Sequence, residues 1–394
     1  MALALLTYAC ALCSRRMPWL TWVSVAVNAA TVVLFKCQHL AGLSILAPVG
    51  VSYFTLRLIS YCIDVRNGLY EPEKNLFRFL LNITYLPHLS MGPIEPYDRL
   101  SAALFQERRI TWDGISIGAV RLLWGLFKKL VIAARAGVIV SAITADTSRY
   151  RGAFALLAMV LYWFQLYCDF SGAMDLVLGL SSMLGIRLSE NFDAPFLSES
   201  IQEFWRRWHI TLGAWLRKYV YIPLGGSRRG KVRKVVNLLI TFLISGFWHG
   251  FHYLLWGVIH GIFVSVGQRL QTRWKIVNRI VTFLLVSVLW SFFIWPDTAT
   301  AVKMIVSLFT TFNYGSVITE IGTMGLTMGD WIVFASAIIL LFACDGQRER
   351  IGIKLRRYSP AARLAMCGAV GMIVLVFGMY GLGFNAGEFI YSRF

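Results

Sequence analysis

Apolar residues along this chain come in long blocks. They fall at roughly 2–13, 18–37, 44–63, 77–91, 116–142, 152–168, 171–186, 236–248, 250–268, 278–295, 301–312, 331–344 and 363–384. A membrane-crossing helix needs about 20 mostly apolar residues. The blocks therefore predict an all-α, polytopic integral membrane protein, with about nine to eleven transmembrane helices plus re-entrant or interfacial pieces. Blocks 2–13 and 301–312 are short for a full crossing. Block 77–91 leads into "PHLSMGPIEP", where Pro87 and Pro93 stop a helix. Broken backbone at membrane depth survives only buried in protein or lining a cavity. In "MALALLTYACALC" the charges Arg15 and Arg16 follow the apolar run, whereas a cleavable signal carries them before it. The run reads as the end of a first membrane helix. There is no fixed-period repeat and no low-complexity linker, so residues 1–394 are read as a single membrane domain.

One stretch breaks the pattern. From Arg206 to Lys234 the charged residues are Arg206, Arg207, Arg217, Lys218, Arg228, Arg229, Lys231, Arg233 and Lys234, all basic. Lys and Arg collect in cytoplasmic loops, so about 187–235 is expected to be a cytoplasmic re-entrant or interfacial segment. Ser198 or Ser200 can cap a helix starting near Ile201, with Glu203 completing a capping box. Phe204, Trp205, Trp208, Leu212 and Trp215 then share one face. That pattern predicts a basic, Trp-rich helix lying in the membrane interface. "PLGGSRRGK" is a loop that turns at Gly225 and Gly226.

Composition sharpens this reading. Hydrophobic residues make up 57% and charged residues 15%, against about 45–50% and about 25% in soluble domains. The net charge of +18 is spread over loops between apolar blocks. A nucleic-acid binder needs a soluble basic face, so the lipid bilayer is the expected partner, and nucleic acid is not. Cys10 and Cys13 form a lone C-x-x-C with no second pair, a weak signal for zinc or redox chemistry.

Three of the six histidines, His249, His252 and His260, lie in "LLITFLISGFWHGFHYLLWGVIHG". An ionisable residue at membrane depth is a functional candidate by default. No H-E-x-x-H is present, so no metal site is expected. His249 and His260 are spaced to share a helix face about 16 Å apart. Packing against a neighbouring helix is the plainer role for His252 and His260. Gly246 and Gly250 flank His249 and admit close approach of a backbone or a narrow substrate. His209, from its residues alone, is an ordinary interface histidine. Asp169 and Asp175 in "YCDFSGAMD" must be paired or face a cavity. No G-x-S-x-G and no phosphate-cradling loop occurs, which leaves a hydrolase elbow or an ATP-driven pump unsupported.

"YCDFSGAMDLVLGLSSMLGIRLSENFDAPFLSESIQEFWRRWHITLGAWLRKYVYIPLGGSRRGK" followed by "NLLITFLISGFWHG" resembles the membrane-bound O-acyltransferase family, in particular the branch of the alginate O-acetyltransferase membrane subunit. "APVGVSYFTLRLISYCIDVRNG", "YLPHLSMGPIEPYDRL" and "GLFKKLVIA" precede it in order, and "EFIYSRF" resembles the branch's ending. The match is strongest over 45–268. The resemblance implies a ring of helices around a central tunnel. It implies a catalytic histidine at His249, from "SGFWHG", and a second at His209, from "FWRRWH". Within or beside these motifs, Asp169, Ser171, Asp175, Asn191, Trp205, Arg206, Arg207, Trp208 and Trp248 are the tunnel or donor-side candidates. The related lipoteichoic-acid D-alanyl transfer proteins lack "YIPLGG". Relatives also commonly begin with more helices, and His88 and Glu95 fall where relatives vary.

The implied activity is transfer of an acyl group, acetyl by branch resemblance, to a hydroxyl of a cell-envelope or exopolysaccharide polymer. No bound cofactor is expected. Coenzyme A or an acyl-carrier protein would present the thioester on the cytoplasmic side. The group would pass directly or through a periplasmic or extracellular acyltransferase partner, and the location would be the bacterial inner membrane. A neutral histidine can take the hydroxyl proton as the carbonyl is attacked. Two alternatives stay open: D-alanyl transfer to teichoic acid, and a non-catalytic transporter or flippase of a lipid-linked saccharide, separable by thioester-dependent acylation.

Overall fold

A computed structural model describes residues 1–38, 42, 50–88, 92–107, 109–267, 271–345, 347 and 354–380. The ending "EFIYSRF" and parts of "APVGVSYFTLRL" and "PHLSMGPIEP" lie outside them. The described residues are helical throughout, apart from turns and one isolated antiparallel bridge between Phe192 and Trp208.

The pillar of the fold is α8, Ala153–Met183. The sequence suggested two runs here, 152–168 and 171–186, and the structure joins them into one helix of 31 residues. At 1.5 Å per residue it is about 46 Å long, and 72% of its apolar window is buried by other elements. Burial on all sides is why it carries no polar face. The polar interruption at Asp169 is tolerated because Lys129 pairs with it at 2.5 Å.

Along α8 lies α6, Trp112–Phe127. A Cβ on Gly118 would come within 2.6 Å of Gly179 O, and one on Gly125 within 2.6 Å of Gly172 O. Both helices carry their glycines seven residues apart, so the two backbones touch at two levels. A π-helical turn, Lys128–Ala133, follows α6 and leads into α7, Ala134–Ala145. The widened turn aims both Lys128 and Lys129 at α8, where they meet Asp175, Ser171 and Asp169.

The N-terminal group is α1, Ala2–Cys13, α2, Trp19–Cys37, and α3, Val51–Arg66. Thr7 Oγ1, Ser24 Oγ and Asn28 Nδ2 hydrogen-bond one another between α1 and α2. After α4, Leu76–Ile83, the chain breaks as Pro87 requires. The buried Arg57 guanidinium of α3 donates to the carbonyls of Asn82 at 2.8 Å and Ile83 at 2.7 Å. The broken backbone is therefore satisfied inside protein. Next comes α5, Tyr97–Phe105.

The expected interfacial helix is two short ones, α9, Ile201–Arg207, and α10, Ile210–Leu216. Ser200 caps α9, accepting from Glu203 N at 3.2 Å, while Glu203 reaches back to Glu199 N at 2.8 Å. The pair does not lie on a surface: Phe204, Trp208, His209 and Leu212 are buried. Gly225 and Gly226 turn with φ of 107° and 56°, and Asn237 Nδ2 donates to Gly226 O at 2.9 Å.

The histidine-bearing block is a hairpin of α11, Gly230–His249, and α12, Leu254–Val266. The expectation that His249 and His260 share one helix is thus corrected. Gly250, at φ 154° and ψ 161°, takes a conformation open essentially to glycine and ends α11. The two arms meet where a Cβ on Gly246 would lie 2.5 Å from Tyr253 O.

The remaining helices are α13, Lys275–Leu289, α14, Ser291–Ile294, α15, Thr298–Thr310, α16, Tyr314–Glu320, α17, Met328–Asp345, and α18, Pro360–Phe377. Among the described residues, five stretches are long and apolar enough to cross a membrane: α2, α8, Lys275–Ile294, α17 and α18. The pair Thr298–Thr310 and Tyr314–Thr323, bent by 110°, makes up to six. The described parts of the other expected runs are shorter or interrupted helices.

Candidate active site

His249 is the last residue of α11 and His209 sits in the two-residue gap, Trp208 and His209, between α9 and α10. Forty residues apart in sequence, they line the same buried cavity. Its wall is completed by Leu166, Trp205, Trp208, Leu212, Trp256, Trp290 and Phe293. The resemblance implies a tunnel; the described residues here enclose a cavity of about 20 Å³, room for one water-sized group.

His209 is held under strain. Its φ of 49° and ψ of 50° are left-handed, and only Ala194 shares a positive φ among the described non-glycine residues. Such a conformation costs about 1–2 kcal/mol. Asn191 compensates. Its Oδ1 accepts from Thr211 N at 3.1 Å, Thr211 Oγ1 at 2.9 Å and His209 Nδ1 at 3.3 Å, and its backbone O accepts from Ile210 N at 3.0 Å. Because Thr211 N can only donate, Asn191 Oδ1 is the acceptor and His209 Nδ1 carries the proton. His209 Nε2 then accepts from Tyr53 Oη at 3.1 Å. Trp163, Phe170, Phe192 and Trp290 wrap Trp208 with ring centroids 4.9 to 6.2 Å away, fixing the residue that precedes His209.

His249 is framed by Trp248 at 4.8 Å, Phe293 at 5.5 Å and Trp256 at 5.7 Å between ring centroids, each near perpendicular. Its backbone carbonyl, exposed by the helix end, accepts from Lys36 Nζ at 3.2 Å. Trp248 neighbours both histidines and Tyr53, its ring 6.4 Å from His209 and 5.4 Å from Tyr53, and donates weakly to Ser52 O at 3.4 Å. His260 is buried and accepts at Nδ1 from Trp205 Nε1 at 3.1 Å. His252 is exposed and stacks on Tyr253.

Of the residues singled out in the sequence, His249, His209, Trp205 and Trp208 line the cavity, with Asn191 and Trp248 directly behind. Asp169, Ser171 and Asp175 do not: they lock α8 to the π turn, Asp175 pairing with Lys128 and with Arg121 at 3.1 Å. Arg207 pairs with Glu203 at 2.8 Å and Asp193 at 3.1 Å, and Arg206 is exposed. The sequence reading missed Tyr53, Trp256, Trp290 and Phe293. The only signal for them was aromatic residues in apolar blocks, which core packing explains equally well.

The model of the membrane-bound O-acyltransferase family matches residues 73–311, which include both cavity histidines. The chain is 39% identical over 272 residues to "Probable alginate O-acetylase AlgI" of Pseudomonas syringae pv. tomato, covering 67% of this chain and 52% of that protein. It is 31% identical over 304 residues to "Peptidoglycan O-acetyltransferase" of Helicobacter pylori, covering 68% and 58%. It is 30% identical over 251 residues to "Teichoic acid D-alanyltransferase" of Streptococcus thermophilus, covering 60% of each. An all-α membrane protein with two histidines on one buried cavity, this chain belongs to the membrane-bound O-acyltransferase family. It spans between half and two thirds of the length of these three relatives.

Proposed function

We propose that this protein is an O-acyltransferase of a bacterial inner membrane. It takes an acyl group, acetyl by its similarity to the alginate and peptidoglycan enzymes, from a cytoplasmic thioester and passes it to a polysaccharide or glycan hydroxyl. The transfer is direct or runs through a periplasmic acyltransferase. The observation that carries this reading is the convergence of His249 and His209 on one water-poor cavity.

His249 is the general base. It takes the hydroxyl proton as the acceptor oxygen bonds to the acyl carbon. The acyl–sulfur bond then breaks, and the proton returns to the departing thiolate. His209 is the positioning residue, its tautomer set by Asn191 and its Nε2 engaged by Tyr53. The exposed Arg228, Arg229, Lys231, Arg233 and Lys234 at the start of α11 suit the phosphates of coenzyme A or an acidic carrier.

The test is His249→Ala in membranes with normal expression. Transfer from radiolabelled acetyl-coenzyme A to alginate, peptidoglycan and teichoic acid acceptors should fall to background. Unchanged transfer sinks the assignment, and saccharide movement without acylation replaces it with a transporter.

A further inference from the structure

We infer that the indole N–H groups of Trp256 and Trp290, backed by His260, form a donor cradle for the acyl carbonyl oxygen, stabilising the negative charge it acquires during transfer. This rests on the acyltransferase reading of the cavity and adds residues that the family resemblance does not name.

The argument begins with hydrogen-bond accounting. Trp256 and Trp290 are 1% and 3% exposed, and both line the cavity beside His249. Neither indole N–H has an acceptor among the described residues. His260 is 0% exposed. Because its Nδ1 accepts from Trp205 Nε1, which can only donate, the proton of the neutral ring must sit on Nε2. That N–H also lacks an acceptor among the described residues. Buried polar groups are nearly always paired, and each exception calls for an explanation.

The three exceptions are neighbours. The Trp256 ring lies 4.7 Å from His260 and 5.9 Å from Trp290, and His260 lies 6.5 Å from Trp290. All three are donors, so what is missing is an acceptor; Trp256 and Trp290 line the cavity, and His260 lies behind Trp256. The adjoining void holds about one oxygen-sized group, and the Trp256 ring is 5.7 Å from the proposed base. A thioester carbonyl supplies such an acceptor. When the acceptor hydroxyl attacks, the carbonyl π pair moves onto oxygen and the hydroxyl proton moves to His249. On collapse the pair re-forms the carbonyl and the thiolate leaves, taking the proton. Donors already in place, in a site walled by aromatic rings, stabilise the charge as it develops.

The test compares Trp256→Phe, Trp290→Phe and the double variant with Trp331→Phe. Trp331, on α17, also has a buried indole N–H without an acceptor among the described residues, but it does not line the cavity. Each single variant keeps an aromatic ring and removes one donor, and the double variant removes two. With acetyl-coenzyme A and an alginate oligosaccharide, Trp256→Phe and Trp290→Phe should each lower kcat about 100-fold with KM within about twofold. Trp331→Phe should leave kcat unchanged. A second readout uses acetonyl-coenzyme A, whose ketone cannot be cleaved. Its ¹³C-labelled carbonyl stretch should shift to lower frequency in the wild type and lose that shift in the double variant. Wild-type kcat in the double variant, or an equal loss in Trp331→Phe, overturns the cradle. If His249→Ala is inactive in the same preparation, the acyltransferase reading survives that outcome. If His249→Ala is fully active, that reading itself fails.

Discussion

The hydroxyl of Tyr53 on α3 donates to Nε2 of His209 across 3.1 Å, although 156 residues separate them. This bond ties the N-terminal helices to the break between α9 and α10. It also gives the left-handed residue at that break a second anchor beside Asn191.

Replacing Tyr53 by Phe should therefore weaken both stability and transfer. A buried imidazole nitrogen left without its donor costs about 1–3 kcal/mol. Thermal unfolding in detergent should show a lower Tm, and kcat should fall while the exposed basic face still binds the donor. An unchanged Tm and kcat would mean that Tyr53 only packs.

His209→Gly and His209→Ala separate strain from chemistry. Glycine adopts φ near 49° without the steric cost that alanine retains, a difference of about 1 kcal/mol or more. The Gly variant should unfold at a higher temperature than the Ala variant, yet both should lose transfer. Equal activity of the Gly variant and wild type would return His209 to a structural role.

Gly246→Val should push α11 away from α12, because its first added carbon would already lie 2.5 Å from Tyr253 O. The displaced helix end carries His249, so acyl transfer should fall at least tenfold, a barrier change of about 1.4 kcal/mol. Gly315→Ala on α16, whose added carbon meets nothing within 4 Å, is the matched control.

Asp175→Leu should destabilise more than Lys128→Met. The first removes the carboxylate facing both Lys128 and Arg121, the second leaves Asp175 its Arg121 contact at 3.1 Å. Removing one member of a buried pair costs about 3–5 kcal/mol, and the Lys128→Met/Asp175→Leu double variant should recover part of it. Calorimetry in detergent reads the order directly.

Neutralising Arg228, Arg229, Lys231, Arg233 and Lys234 together should raise KM for acetyl-coenzyme A with little change in kcat. High salt should weaken donor binding in the wild type and leave the variant unaffected, because screening acts on exposed charges. Salt-independent KM in the wild type would place the donor site elsewhere.

Much of this was legible in the chain. Long apolar blocks gave the helical membrane class, Ser200 gave the start of α9, and Gly225 with Gly226 gave the turn before α11. "SGFWHG" and "FWRRWH" pointed to the two histidines that share the cavity. Other readings failed for physical reasons. The chain could not show that 152–168 and 171–186 are one helix, because the Lys129 that neutralises Asp169 lies 40 residues away. Periodicity suggested one amphipathic helix through His209, since the strain there is imposed by Asn191 and not by local preference.

The sequence by itself determined which segments must avoid water and which residues are chemically able to move a proton. Tertiary structure alone decided that His249 ends its helix, that Asp169 and Asp175 serve packing contacts, and that Tyr53, Trp256 and Trp290 surround the histidines. The reason is that hydropathy is a property of each residue, whereas pairing, strain and unmet hydrogen bonds are properties of neighbours brought together from distant parts of the chain.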